Sequence, residues 1–135
     1  MIKIQIKTTK PKQVLDITDK LNQDLSQLDI KAGLVYIFVT HTTCALTTAD
    51  LDPGTDLDML DAFKALIPKL NYRHPHDPAH VPDHILSSLI GTSLTLPVED
   101  GGLALGQWQR VVLIEFSGPR ERQLIITTIN NTRPK

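Results

Sequence analysis

The order in which strands and helices follow one another narrows the possible folds of this chain more than any other feature. Hydrophobic patterns predict strands over 2–8, 34–40, 44–49, 93–98, 102–116 and 120–129. They predict helices over 17–28, 57–67 and 82–90. A doubly wound sheet needs strands and helices in steady alternation, whereas the last third of this chain is predicted as strands alone. The order therefore predicts a single α+β domain over 1–135.

The sequence also predicts a central strand, the ends of some helices and a frayed segment. Residues 34–40, LVYIFVT, form a continuous apolar run, which is typical of a central strand covered on both faces, and the run leads directly into His41. Asp16 fits a helix N-cap, and Gly33 and Gly91 fit positions just after the first and third helices. Residues 130–135, NNTRPK, are expected to fray.

Charge and composition exclude several classes of partner. Lysine and arginine number 14 against 15 aspartates and glutamates, so the net charge of -1 gives no global attraction to nucleic acid or an anionic membrane. Cys44 is the single cysteine, which excludes an internal disulfide and suits a reducing compartment. No apolar run approaches the ~18 to 20 residues of a membrane span. We expect a soluble, cytoplasmic protein with no nucleic-acid or membrane partner.

The stretch HPHDPAHVPDH, residues 74–84, contains four of the five histidines. Neutral imidazole is a common metal ligand, and metal sites often combine two ligands close in sequence with a distant third. His74 or His76, with His80 or His84, could form the local set and His41 the distant ligand. The alternative is a solvated polar loop.

An acidic run offers a weaker indication of a metal site. ADLDPGTDLDMLD, residues 49–61, fails as a calcium loop because position six is Thr55 and position twelve is Asp61. Its later aspartates instead suit the first turns of a helix, and Asp50 or Asp52 alone could face a site.

A nucleophilic pair of Cys44 and His41 is disfavoured because their odd spacing in an extended segment sends the side chains to opposite faces.

A local phosphate site is also suggested by the residues themselves. Arg120 and Arg122 alternate along a predicted strand and share a face. With Ser87, Ser88 and the free N–H groups at the start of the helix at Pro82, they could receive a phosphate. The alternative for each arginine is an ordinary surface ion pair.

Several motifs together resemble one family. In chain order they are HTTCALTTADLDPG, NYRHPHDP, HVPDHILSSLIGTSLTLPV, GQWQRVVLIEF and GPRER. They resemble the YjbQ family, also called the secondary thiamine-phosphate synthase family, over about residues 4–129. The resemblance implies an α+β fold with a mixed, barrel-like sheet and flanking helices, assembled as a homotrimer.

The resemblance also assigns residues to roles. It implies metal binding by His41, His74 and His84, and it demotes His76 and His80. Contacts to the bound ligand or cofactor are assigned to Thr43, Ser88 and Gln109, the last from the motif GQWQ, where Gln107 replaces the usual threonine. A catalytic role is assigned to Asp50, with Asp52 as the alternative, and to Arg120 and Arg122.

The activity that the resemblance implies is transfer of a pyrimidine pyrophosphate onto thiazole phosphate, which gives thiamine phosphate and pyrophosphate. Three neutral histidines suit zinc or another transition metal better than magnesium. We therefore expect a trimeric, metal-binding enzyme acting on a phosphorylated small molecule. The alternatives are a metal-dependent hydrolase in which Asp50 is the base, and a non-catalytic metabolite-binding trimer.

Overall fold

The computed structural model describes residues 1–131, so the end of the predicted 1–135 domain and most of the predicted frayed segment lie outside the described residues. The strands are β1 (Ile2–Lys7), β2 (Gln13–Asp16), β3 (Gly33–Val39), β4 (Cys44–Ala49), β5 (Ser93–Glu99), β6 (Gly102–Leu103), β7 (Arg110–Glu115) and β8 (Glu121–Asn130). The helices are α1 (Thr18–Leu25), α2 (Thr55–Leu66) and α3 (Val81–Ile90), and a 3-10 turn at Pro78–His80 precedes α3.

The strands form two sheets that curl into a half-barrel. One sheet has the order β1-β8-β3-β5-β6 and the other has the order β2-β7-β4. The predicted α+β class and barrel-like curl are confirmed. The paired strands among residues 1–131 are all antiparallel rather than mixed in direction.

The core lies in two layers on either side of the three-stranded sheet. Val35, Ile37 and Val39 of β3 pack with Leu113 of β7 in the layer between the sheets. Residues of β7 that point the other way pack beneath α2 and α3 in a second cluster. β7 is therefore the strand covered on both faces, because it lies between the other sheet and the helices.

The prediction that 34–40 is covered on both faces is wrong for this chain. β3 is central in its sheet, but one face of the strand stays open, and Leu34 and Tyr36 remain 41% and 38% exposed. Open faces of antiparallel sheets are usually polar, so exposed apolar residues are unusual on such a face.

Several elements differ from the sequence prediction; α1, for example, ends at Leu25 rather than at residue 28. The short strand β2 was missed, since four residues after a polar stretch give no clear alternation. The predicted strand 102–116 divides into β6 and β7 around an irregular segment. Gly33 begins β3 rather than ending a helix; its φ is +144°, and a Cβ there would lie 2.1 Å from the carbonyl oxygen of Ile129.

The helices begin where local chemistry favours them. The Asp16 carboxylate accepts the backbone N–H of Thr18 at 3.0 Å, as expected of a residue that caps α1, although Ile17 occupies the N-cap position itself. Asp56 and Asp58 lie in the first turn of α2, where the helix dipole favours them. Gly91 follows α3 with φ 112°. Among the described residues, no helix is long and apolar enough to cross a membrane.

Candidate functional site

A depression of about 720 Å³ lies where the β3–β4 turn, the loop before α3 and the β7–β8 turn meet. Six residues assigned to a site from the sequence line it: His41, Thr43, His74, His84, Arg120 and Arg122. The other lining residues are Thr40, Thr42, Asp77, His80, Ser117 and Glu121. We call this the histidine depression. It gathers the histidine and arginine parts of the predicted site.

His84 is held by the turn that follows β3. It lies in the first turn of α3, and its Nδ1 is 3.1 Å from the carbonyl oxygen of Thr42. A carbonyl oxygen can only accept, so the ring donates through Nδ1–H. The Nε2 of the neutral ring therefore keeps a free lone pair.

His74 stacks on His84 from the loop before α3. The ring centroids are 5.1 Å apart and the planes differ by 10°. The backbone N–H groups of His76 and Asp77 donate to Nδ1 of His74, at 3.3 and 3.2 Å. A neutral ring that accepts through Nδ1 carries its proton on Nε2, so the free nitrogen of His74 is a donor.

His41 lies in the turn just beyond β3. The backbone N–H of Gln123 donates to its Nε2 at 2.8 Å, so the neutral ring carries its proton on Nδ1. Burial lowers the pKa of His41, and the charges of Arg122 and Arg120 lower it too, while Glu115 opposes them. His41 is consequently a neutral ring near two arginine charges at pH 7.

The three histidines do not fit a metal ion bound by three ring nitrogens as they are arranged. Each ligand would need an unprotonated nitrogen, yet His41 and His74 use theirs to accept backbone N–H groups. Within residues 1–131, no group of three or more His, Cys, Asp or Glu side chains is placed to hold a metal ion. The same hydrogen bonds turn His41 and His74 into N–H donors, which suit an anion.

A buried ion pair supports the floor of the depression. Arg122 and Glu115 are 2% and 0% exposed, and the Nε of Arg122 donates to Glu115 at 2.9 Å. Arg122 also donates to the hydroxyl of Thr43 at 2.8 Å. Burial raises the pKa of Glu115, but hydrogen bonds from Arg122, Thr8 and Ser117 outweigh burial and hold that pKa below its usual value. Glu115 is therefore ionised.

This pairing changes the interpretation of Arg122 and Thr43. We expected Arg122 to receive a phosphate, but its Nε and one terminal nitrogen bind Glu115 and Thr43. These bonds hold the β3–β4 turn against β7 and β8. Arg120 differs: it is exposed, and its Nε donates to the carbonyl oxygen of Ser117 at 2.6 Å, which leaves the terminal nitrogens for a ligand.

His80 lies at the edge of the depression between two carboxylates. Its Nδ1 is 2.9 Å from Asp83 and its Nε2 is 3.2 Å from Asp77. Both hydrogen bonds form together only when each ring nitrogen carries a proton, because carboxylates accept. These contacts attach His80 to Asp83 in the first turn of α3.

The remaining predicted site residues lie elsewhere. Asp50 follows the last residue of β4, while the depression lies before its first, and a six-residue strand separates these ends by roughly 20 Å. Gln109 lies near Asp50 and donates to the hydroxyl of Thr48 at 3.0 Å. Ser88 is exposed one turn beyond His84 and does not line the depression. The predicted site is thus divided within one chain.

The cysteine is not a nucleophile in this structure. Cys44 is fully buried, and burial raises the pKa of its thiol to about 11. The thiol is therefore protonated at neutral pH, as a small buried side chain would be.

Sequence reasoning missed Glu115 and Ser117. Glu115 had a usable signal, since a carboxylate at the end of the apolar run VVLI predicts a buried partner of opposite charge. Ser117 had none, because its contribution is a backbone carbonyl that orients Arg120.

Comparison with known proteins places these features in a family. The family model described as UPF0047 protein YjbQ-like matches residues 2–131. A UPF0047 protein of Archaeoglobus fulgidus is 35% identical over 129 residues, which cover 95% of this chain and 100% of the relative. The UPF0047 protein YjbQ of Salmonella typhimurium is 38% identical over 127 residues, covering 89% of this chain and 90% of the relative.

A solved structure agrees with these sequence matches. A YbjQ-like protein of unknown function from Sulfolobus solfataricus superposes with a TM-score of 0.88 at 29% identity, over 96% of each chain. The likeness therefore extends through the sheets and helices that position the depression.

Proposed function

This chain belongs to the YjbQ-like UPF0047 family, as its motifs predicted, and we propose that its histidine depression binds the phosphate groups of a small-molecule substrate. The observation that carries this proposal is the set of hydrogen bonds at His41 and His74. His41 and His74 accept backbone N–H groups, so their free nitrogens are donors. Phosphate oxygens are acceptors, and such donors suit them.

Charge supports the same proposal. Arg120 offers terminal guanidinium nitrogens at the edge of the depression. Guanidinium recognises phosphate through paired, charge-assisted hydrogen bonds. The arginine charges that lower the pKa of His41 also attract an anion.

The reaction we propose is the one that the family resemblance implied. The ring nitrogen of thiazole phosphate bonds to the methylene carbon of the pyrimidine as the bond from that carbon to pyrophosphate breaks. Negative charge grows on the leaving pyrophosphate, and Arg120 with the histidine N–H groups would stabilise it. Incubation with both substrates should release thiamine phosphate and pyrophosphate in equal amounts, and Arg120→Gln should lower kcat.

Calorimetric titration with inorganic pyrophosphate tests the binding proposal. Arg120→Gln should weaken binding by about tenfold, since one charge-assisted hydrogen bond is worth roughly 1.4 kcal/mol or more. Asp50→Asn and Gln109→Ala serve as controls, because both residues lie at the far end of β4, and should leave the affinity unchanged. Equal weakening by the controls, or none by Arg120→Gln, would remove the proposal.

A divalent metal, zinc rather than magnesium, is a further part of the proposal that the resemblance motivates. His84 Nε2 would be its first ligand, because it has a free lone pair. His41 and His74 would join only after giving up their bonds to backbone N–H groups. Elemental analysis should then find metal in the native protein but not in His84→Ala, with His76→Ala as the control; a metal-free native protein would contradict this part.

The two alternatives make different predictions. A hydrolase with Asp50 as its base is disfavoured within one chain, because Asp50 lies roughly 20 Å from the depression along β4. A non-catalytic metabolite-binding protein uses the same depression. A screen of phosphorylated compounds separates them, since saturable binding without turnover identifies the binding protein and phosphoester cleavage identifies the hydrolase.

We also propose the homotrimer that the resemblance implied. The open face of the five-stranded sheet carries Leu34 and Tyr36 of β3 and Ile129 of β8, and Ile129 is 63% exposed. Open faces of antiparallel sheets are usually polar, so clustered apolar residues there favour a contact between copies.

A further inference from the structure

A second cavity, of about 750 Å³, lies on the other side of α3 from the histidine depression. The two share no lining residue. Its apolar walls are Leu60, Phe63 and Ile67 near α2, Leu86 of α3, and Phe116 after β7. The volume lies within the range of about 300–1,000 Å³ that is usual for small-molecule sites.

The cavity explains how α2 is packed. Over its described length, α2 has no fully buried residue, although an amphipathic helix normally buries one apolar face. The inward residues Leu60 and Phe63 are only partly covered because they face the cavity. Phe63 and Phe116 meet edge to face, with ring centroids 6.1 Å apart, and form an aromatic wall.

The polar groups of the cavity favour a single negative charge on its occupant. Asp83 is 5% exposed, but Lys12 neutralises it with an ion pair of 2.6 Å. Lys64 and Lys69 also line the cavity, and Asp61 is the other carboxylate in the lining, so these three side chains together carry one net positive charge. Neither of these two lysines has an ion-pair partner in the described part of the chain.

We propose that this cavity is a second binding site, for a small molecule with an apolar ring body and one anionic group. The body lies between α2 and α3 against Phe63 and Phe116. The anion lies toward Lys64 and Lys69. The site is independent of the histidine depression, so either proposal can fail without the other.

Binding of the aryl sulfonate 8-anilinonaphthalene-1-sulfonate tests this site by its fluorescence. The wild-type chain should bind one molecule saturably. Leu60→Trp fills the cavity and should weaken binding by roughly tenfold or more, because the ring body loses its space. Leu66→Trp is the matched control, since Leu66 lies on the same helix, is 61% exposed and does not line the cavity.

The charge requirement has its own test. Replacing both Lys64 and Lys69 by Gln should weaken sulfonate binding by about fivefold, as loss of nearby opposite charge predicts. The same double change at Lys3 and Lys7 of β1 is the control. The uncharged analogue N-phenyl-1-naphthylamine should bind both double variants equally well.

Circular dichroism confirms that each variant is folded, and Ala79→Trp fills the cavity from the opposite wall if Leu60→Trp does not fold. Unchanged binding in a folded, filled variant would overturn the proposal. So would sulfonate binding that appears only after an assembled form dissociates, because the cavity would then belong to a contact between copies of the chain.

Discussion

Single residues decide whether the histidine depression keeps its shape, and the buried pair of Arg122 and Glu115 matters most. It joins β7, β8 and the β3–β4 turn through Thr43. Glu115→Gln leaves a buried guanidinium without its counter-ion, so we expect the free energy of unfolding to fall by about 3 to 5 kcal/mol. Urea unfolding measures this loss. A change below about 1 kcal/mol would show that the pair does not support the site.

The lowered pKa of His41 predicts how the stability of the fold depends on pH. Its pKa in the folded chain is lowered below the value of about 6.5 expected when unfolded, so the unfolded chain binds more protons in that range. Stability from His41 is therefore complete above pH 6.5 and falls as the pH drops through that value. The loss between pH 7.5 and 5.5 should be smaller in His41→Gln. An equal loss in both proteins would contradict the assignment.

Whole elements show how far sequence reasoning reaches. Helical periodicity predicted α1, α2 and α3, and alternation predicted β1, because these patterns depend on neighbours along the chain. The prediction that β3 is covered on both faces was wrong, because coverage depends on which elements pack on each face of the sheet, and these are distant in sequence. In the site, the motifs selected three of the four histidines that line the depression and demoted the fourth, His80. They could not separate Arg120, which is exposed, from Arg122, which is paired with Glu115. Likewise, the sequence alone could not show that Asp50 lies at the far end of β4 from the depression, because that separation depends on where the loops meet in the folded chain.

Gly33 tests the pairing of β3 with β8. Gly33→Ala should cost much more than the roughly 1–2 kcal/mol of an unfavourable backbone conformation alone, because its Cβ would lie 2.1 Å from the Ile129 carbonyl oxygen. Gly54→Ala is the matched control, since its φ is also positive, at 92°, but no atom lies within 4 Å of its Cβ. Thermal unfolding of both variants compares the two costs. Similar midpoints would mean that the close approach is absent.

At the level of the whole molecule, the open face of the larger sheet tests the proposed assembly. Ile129→Glu places a charge among Leu34 and Tyr36 in the proposed contact and should convert a trimer into monomers, as light scattering after gel filtration would show. Leu89→Glu is the control, because Leu89 is equally exposed but lies on α3. A wild-type monomer, or a trimer that tolerates Ile129→Glu, would contradict this interface.

The central claim is that His41 and His74 are arranged as N–H donors for a phosphorylated ligand. Long-range proton–nitrogen NMR of the imidazole rings, with inorganic pyrophosphate added, tests it most directly. We predict protons on Nδ1 of His41 and His84 and on Nε2 of His74 in the free protein, and saturable shifts of all three rings, with His76 unaffected. Unprotonated nitrogens at those positions of His41 and His74, or rings that do not respond to pyrophosphate, would contradict the account.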